Sequence, residues 1–168
     1  MCGILALYNP KADVAKDIYD GLIQLQHRGQ DAAGISSLDS SIMHLHKDTG
    51  LVTEVFKKTK SKINLTGNLG IGHVRYPTAG NNDVNDSQPF FTSNPVNIAL
   101  AHNGTLTNSD SIRDKLIKTH FCQFNTSSDS EALLNLFAFE LYKTNFRRLT
   151  KNHIIKALKN NDVKEGDK

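Results

Sequence analysis

The sequence predicts an α+β fold, and three observations carry that expectation. Short apolar runs at residues 4–8, 35–38, 42–46, 69–76 and 96–102 have the length and composition of strands. Two of them, 35–38 and 42–46, are separated only by Asp39-Ser40-Ser41, so they read as consecutive strands joined by a turn. Apolar residues at helical spacing recur after Asp13 and again through the last third of the chain. With 168 residues, 38% hydrophobic and 22% charged, the chain is the size of one domain and has the make-up of a soluble globular protein.

Taken in order, residues 4–8 read as a buried strand that Asn9-Pro10 ends. Asp13 is the expected N-cap of a helix carrying Val14, Ile18, Leu22 and Leu25 and stopping near Gly29. The polar, glycine-bracketed segment His27-Arg28-Gly29-Gln30-Asp31-Ala32-Ala33-Gly34 suits a place where backbone comes close to a ligand or another strand. Leu51, Val52, Val55 and Phe56 predict a short helix. In the strand at 69–76, the period of two puts Leu69, Ile71, His73 and Arg75 on one face, and Gly70 and Gly72 open the other to close packing. Residues 80–94 read as a mobile surface loop, and 96–102 as a strand ending at Asn103-Gly104. Two amphipathic helices follow, one through Ile112, Leu116 and Ile117. The other is opened by Ser128 and Glu131 at capping-box spacing and runs through Leu133, Leu134, Phe137 and Leu141. A last helix from Thr150 through Ile154, Ile155 and Leu158 gives way to a charged tail at 159–168.

Composition removes several function classes. The net charge of +3 is modest, and the densest basic run, Lys57-Lys58-Thr59-Lys60-Ser61-Lys62, has only Phe56 beside it, which argues for a solvated helix end over a nucleic-acid site. Cys2 and Cys122 form no C-x-x-C pair, so neither a zinc site nor a disulfide framework is expected. No run reaches the ~18 apolar residues of a membrane span, and residues 4–8 are too short for a signal core. The expected location is cytoplasmic.

The chemistry centres on Cys2. Once Met1 is removed, this residue would carry a thiol nucleophile and a free α-amine, whose pKa of roughly 7.7–8.0 suits a general base. Arg75, Asn103-Gly104 and Asp129 fall at strand ends or helix starts. Singly, each has an innocent reading: a surface cation, a hairpin turn, or an acid favouring a helix N-terminus. Together they fit one reaction. An Asn amide and a glycine N–H can hold an oxyanion, while a guanidinium and a carboxylate match the two ends of a free amino acid. Glutamine is the amino acid whose side chain ends in a cleavable amide.

Five blocks, namely Met1-Cys2-Gly3-Ile4, residues 25–34 (LQHRGQDAAG), residues 70–80 (GIGHVRYPTAG), Ala101-His102-Asn103-Gly104 and Thr126-Ser127-Ser128-Asp129-Ser130-Glu131, closely resemble the N-terminal glutaminase domain of amidophosphoribosyltransferases. The resemblance runs from residue 1 to about residue 158. Gln30-Asp31-Ala32 and Tyr76-Pro77-Thr78-Ala79-Gly80 favour this branch over glucosamine-phosphate synthases and asparagine synthetases. The resemblance implies an N-terminal-nucleophile hydrolase, an αββα sandwich of antiparallel sheets. It implies Cys2 as nucleophile with its own amine as base, Asn103 and Gly104 as oxyanion hole, and Arg75 and Asp129 as ligands of the carboxylate and ammonium of glutamine. Thr78 and His73 would flank that pocket, and His27 and Arg28 would position the site.

The family makes phosphoribosylamine from glutamine and phosphoribosyl pyrophosphate, at the start of purine synthesis. The resemblance therefore implies residues 1–158 as the glutaminase part, with the later strands of the sandwich and the phosphoribosyltransferase domain absent. No cofactor is expected in this chain: magnesium belongs with the second domain, and no cysteine set for an iron–sulfur cluster is present. Glutamine is the expected small-molecule partner and the full-length enzyme a homo-oligomer, with no nucleic-acid or membrane partner. Two alternatives remain open, an inactive or partner-dependent fragment and a glutaminase serving another acceptor.

Overall fold

The computed structural model describes residues 1–57, 65–76, 83–143 and 159. Thr78, the lysine run beyond Lys57 and the expected helix through Ile154, Ile155 and Leu158 lie outside the described residues. The chain divides into two compact units, Met1–Phe90 with Ala99–Asn103 and Phe91–Ile98 with Gly104–Lys168.

The first unit is built on four antiparallel strands: β1 (Gly3–Tyr8), β2 (Ala32–Asp39), β3 (Ile42–Thr49) and β4 (Leu69–Arg75), ordered β1-β4-β2-β3. The hairpin expected at Asp39-Ser40-Ser41 joins β2 to β3, with Ser40 at φ 55°. Both strands run further than their apolar cores suggested, because backbone pairing continues through Ala32↔Thr49.

Helix α1 (Ala15–Gln24) lies against this sheet with Val14, Ile18 and Leu22 fully buried. Fully burying each of the larger two is worth roughly 1.5–3 kcal/mol. The close approach depends on the glycines of β4. A Cβ at Gly72 would stand 2.5 Å from Ile18 Cγ2 and 2.9 Å from Leu22 Cδ1, and one at Gly70 would stand 2.8 Å from Ile18 Cδ1. Helix α2 (Val52–Lys57), also as expected, completes the core with Val52, Val55 and Phe56, whose ring meets Tyr19 edge-on at 5.8 Å.

Several expectations need correction here. Asp13 does not cap α1. Val14 occupies that position, and Asp13 Oδ1 instead accepts the Gly67 N–H at 2.7 Å, holding the turn that leads into β4. β1 is an edge strand covered by α1 on one face only, so Leu5 and Leu7 face the core while Ile4 and Tyr8 are exposed. The register Tyr8↔Leu69 and Ser36↔Leu45 places Leu69 and Leu45 on that same open face. Residues 83–90 are not a loose loop. Asp83 caps a 3-10 turn at Val84–Asp86, Ser87, Pro89 and Phe90 are buried, and Lys47 Nζ donates to the Ser87 carbonyl. Asp83, Val84 and Asn85 remain exposed, while the residues after them turn inward. The later strand is also shorter than expected: β6 (Ile98–Leu100) pairs only with β5 (Phe90–Thr92).

In the second unit, helices α3 (Ser109–His120) and α4 (Asp129–Lys143) pack through Ile112, Leu116, Ala132 and Leu136, with Leu106 beneath them. Ile117 points out to solvent instead, since Ile112 and Leu116 already define the buried stripe. The capping box is only half formed. Ser128 Oγ accepts the Ser130 N–H at 3.3 Å, but the buried Glu131 carboxylate turns to Asn125 N–H at 2.9 Å and Thr126 N–H at 2.8 Å. Cys122 is half-buried beside Phe124, and Phe121 before it is exposed at left-handed φ 54°.

The packing predicts that Gly72→Val destabilises the unit by about 1–3 kcal/mol, because the added carbons overlap α1 within a filled core. Urea denaturation should show a lower midpoint, and an unchanged midpoint would mean α1 does not depend on that space.

Candidate functional site

Cys2 sits immediately before β1, and the register Gly3↔Val74 sets it beside the end of β4. Its thiol donates to the Tyr76 carbonyl at 4.0 Å, and two further hydrogen bonds fix it there. The Tyr76 N–H donates to Cys2 Sγ at 3.4 Å, and Arg28 Nε donates to the Cys2 carbonyl at 3.1 Å. The residue before it, Met1, is exposed.

The segment around Arg28 is positioned by its sequence. After α1, Gln26–Arg28 form a 3-10 turn, and Gly29 follows in extended conformation. A Cβ at Gly29 would lie 2.6 Å from the carbonyl carbon of Arg75, so only glycine lets this loop rest on the end of β4. The Asp31 N–H then donates to the Arg75 carbonyl at 3.1 Å. Gln26 ties the same turn inward, donating to the Gly29 carbonyl and accepting the Val52 N–H at 2.7 Å. His27 does not reach the site, since its Nδ1 meets the Gln24 carbonyl at 2.9 Å in an exposed position.

Arg75 ends β4 half-exposed, and among the described residues no carboxylate pairs with its guanidinium. A cation in that state can receive an anion without first breaking an ion pair. His73, two residues earlier on the same face, has no exposed surface, and its Nε2 meets Asn103 Oδ1 at 3.1 Å. Burial, reinforced by the charge of Arg75 and by His102, lowers its pKa from 6.5 to about 4 against the opposing effect of the Asn103 bond. It is therefore a neutral imidazole at pH 7.

Asn103 is held from a second side that the sequence did not reveal. Gln88 Oε1 accepts the His102 N–H at 2.7 Å, and Gln88 Nε2 donates to the His102 carbonyl at 3.1 Å. The side chain thus takes the place of a neighbouring strand for the residue before Asn103. Close approach of this segment to β2 is permitted by Gly34, whose Cβ would fall 2.3 Å from the Gln88 carbonyl oxygen.

The first unit therefore brings Cys2 to the end of Arg75 and His73 to Asn103. Gly104 and Asp129 belong to the second unit. There Asp129 Oδ2 accepts the Leu106 N–H at 2.8 Å, and its Oδ1 accepts the Ser130 hydroxyl at 3.2 Å, which holds the start of α4 to the segment that follows Gly104. Thr78 lies outside the described residues. The thiol of Cys122 is pushed up by burial, so it ionises less readily than an open cysteine. Among the described residues no three His, Cys, Asp or Glu side chains gather as a metal site, and no helix is long and apolar enough to cross a membrane.

Residues 73–153 match the family described as "Glutamine amidotransferase domain". Amidophosphoribosyltransferase of Pseudomonas aeruginosa is 45% identical over 158 residues, covering 94% of this chain and 31% of that protein. The Escherichia coli enzyme of the same name is 50% identical over 148 residues, covering 88% of this chain and 28% of that protein. The chain thus spans about a third of the length of the curated relatives it matches. Among solved structures, the glutamine phosphoribosylpyrophosphate amidotransferase of B. subtilis superposes with a TM-score of 0.77 at 33% identity, covering 98% of this chain and 33% of that one. A structure described as the allosteric regulatory enzyme of purine biosynthesis gives 0.78 at 34%. Both agree with the α+β fold of antiparallel sheets and helices.

The state of His73 has a consequence for stability. Between pH 6.5 and about 4 the histidine of the unfolded chain is protonated while folded His73 is not, so the unfolded state binds more protons and stability falls as pH falls through that window. Subtracting the urea stability of His73→Gln from that of the unsubstituted chain at each pH should isolate this slope. A flat difference from pH 7 to 4 would show that His73 takes up a proton as readily folded as unfolded.

Proposed function

Since the chain belongs to the glutamine amidotransferase domains of the amidophosphoribosyltransferase family, we propose that it hydrolyses glutamine to glutamate and ammonia through a thioester on Cys2. The observation that carries this reading is the placement of Cys2, its sulfur facing the Tyr76 N–H at the end of β4, where Arg75 has no carboxylate partner among the described residues. Removal of Met1 frees the α-amine. That amine takes the thiol proton, and the sulfur attacks Cδ of glutamine. The oxyanion is held by the Asn103 amide and the Gly104 N–H. Collapse breaks the C–N bond, and the amine's proton leaves with ammonia. Water, deprotonated by the same amine, then attacks the thioester and releases glutamate and the thiol. The sequence of steps balances without a metal or organic cofactor.

Arg75 is assigned to the α-carboxylate, where its fork can bind two oxygens, and Asp129 to the ammonium. Thr78 is assigned to the same pocket. In the longer protein the ammonia would go to phosphoribosyl pyrophosphate to give phosphoribosylamine, on a second domain that uses magnesium in a cytoplasmic homo-oligomer. The exposed Ile4, Tyr8, Leu69 and Leu45 favour a version of this reading in which the domain works only when that sheet face is covered.

The test is peptide-mapped labelling with a glutamine-shaped electrophile, alongside intact-mass measurement. Protein lacking Met1 should react selectively at Cys2, with Cys122 spared and excess glutamine protective. Equal labelling of both cysteines, or no protection, would sink the reading. A second outcome follows from the carboxylate role. Arg75→Lys should raise the glutamine KM about tenfold or more, since a charge-assisted bond worth about 1.5–3 kcal/mol is lost. An unchanged KM would remove Arg75 from that role.

A further inference from the structure

We propose that His73 is a positioning residue, whose Nε2–H donates to Asn103 Oδ1 and thereby turns the Asn103 amide so that its nitrogen, not its oxygen, faces the developing oxyanion. The inference rests on the glutaminase reading above and deepens it. An asparagine side chain presents a donor on one side and an acceptor on the other, and the two ends have nearly the same shape. Only the donor end stabilises an oxyanion, so a half-turn about the terminal bond would replace attraction with repulsion. Something must select the orientation.

The surroundings of His73 do so. Its Nε2 lies 3.1 Å from Asn103 Oδ1, while its Nδ1 is buried with no partner among the described residues. With the proton on Nδ1, an N–H would be orphaned in the interior and Nε2 would demand a donor from Asn103. With the proton on Nε2, the unpartnered atom is a bare acceptor, the less costly of the two to leave unsatisfied. His73 itself has no exposed surface. It therefore stands behind Asn103, and its effect on substrate passes through that amide. The Gln88 clamp fixes the backbone at His102, and the imidazole acts on the Asn103 side chain itself.

Two variants separate donor from shape. Gln can place its Nε2 donor near the imidazole Nε2, whereas Leu fills comparable volume with no donor. In the chain lacking Met1, His73→Leu should lower kcat about tenfold to a hundredfold, approaching the loss seen when an oxyanion donor is removed, with glutamine KM unchanged. His73→Gln should recover about tenfold of any hundredfold loss and keep both limbs of the pH–rate profile. Alkylation of Cys2 by iodoacetamide, which forms no oxyanion, should keep its rate in both. Equal losses in the two variants, a KM effect without a kcat effect, or a missing limb in His73→Gln would each overturn the assignment.

Imidazole nitrogen shifts judge the inference even without turnover. They should show a neutral His73 protonated at Nε2 at pH 7, and an Nδ1–H or cationic ring overturns it. Should the unsubstituted chain fail to hydrolyse glutamine while showing that tautomer, the glutaminase reading fails and the His73–Asn103 arrangement stands.

Discussion

The position of Cys2 depends on the antiparallel pairing of β1 with β4, and that pairing depends on space left by two missing side chains. β4 is sandwiched in the sheet between β1 and β2, and its helix-facing side carries Gly70, Gly72 and Val74 in alternation. The glycines admit Ile18 and Leu22 from α1. Leu5 and Leu7 of the edge strand then pack on the core beside them. An edge strand has one partner and is weakly held by its ladder alone. Here the core holds β1 from one face, so the register Gly3↔Val74 is specified by burial, since a slip of one residue would turn Leu5 and Leu7 outward.

Around that frame, the functional segments are loops held by side chains that act on backbone. Arg28 reaches the Cys2 carbonyl, Gln26 joins Gly29 to Val52, Gln88 pairs with both polar groups of His102, and Asp13 holds Gly67. Glu131 and Arg113 do the same in the second unit, where Arg113 donates to the carbonyls of Thr126 and Ser128 at 2.8 and 2.9 Å. A side chain bonded to backbone constrains position without building another strand, and it leaves the neighbouring residue's own side chain free to act. The pattern explains how Cys2 and His102, which lie just outside the strands, are nevertheless held in place.

Sequence patterns revealed the elements whose signal is periodic or local. The stripe of Val14, Ile18 and Leu22, the turn at Asp39-Ser40-Ser41 and the glycine alternation of β4 each have one physical reading, and each is found. The position of Cys2 at a strand start and of Arg75 at a strand end was legible for the same reason. The contacts of Gln88 were not. They join residues fourteen apart through a side chain, and no spacing rule encodes them. Polar composition between 83 and 90 pointed toward solvent, which holds for the exposed turn at 83–85 but not for Ser87, Pro89 and Phe90, because nothing local in a sequence marks where such a segment turns inward. Asp13 and Glu131 were misassigned for a related reason, since both can serve a local cap or a distant amide, and only tertiary packing decides between them.

The electrostatics of the first unit are consistent with a site awaiting an anion. Arg75 and His73 point to the same face of β4, and if both were cationic their repulsion would add to the cost of burying His73. Burial resolves the conflict by keeping the imidazole neutral, so that of the two only Arg75, half-exposed at the strand end, carries charge. A neutral imidazole still donates one hydrogen bond, so His73 gives up its charge while keeping the proton that Asn103 receives. Separating charge from hydrogen-bond donation in this way lets one short strand carry a cation at its end and a donor toward an amide without the two interfering.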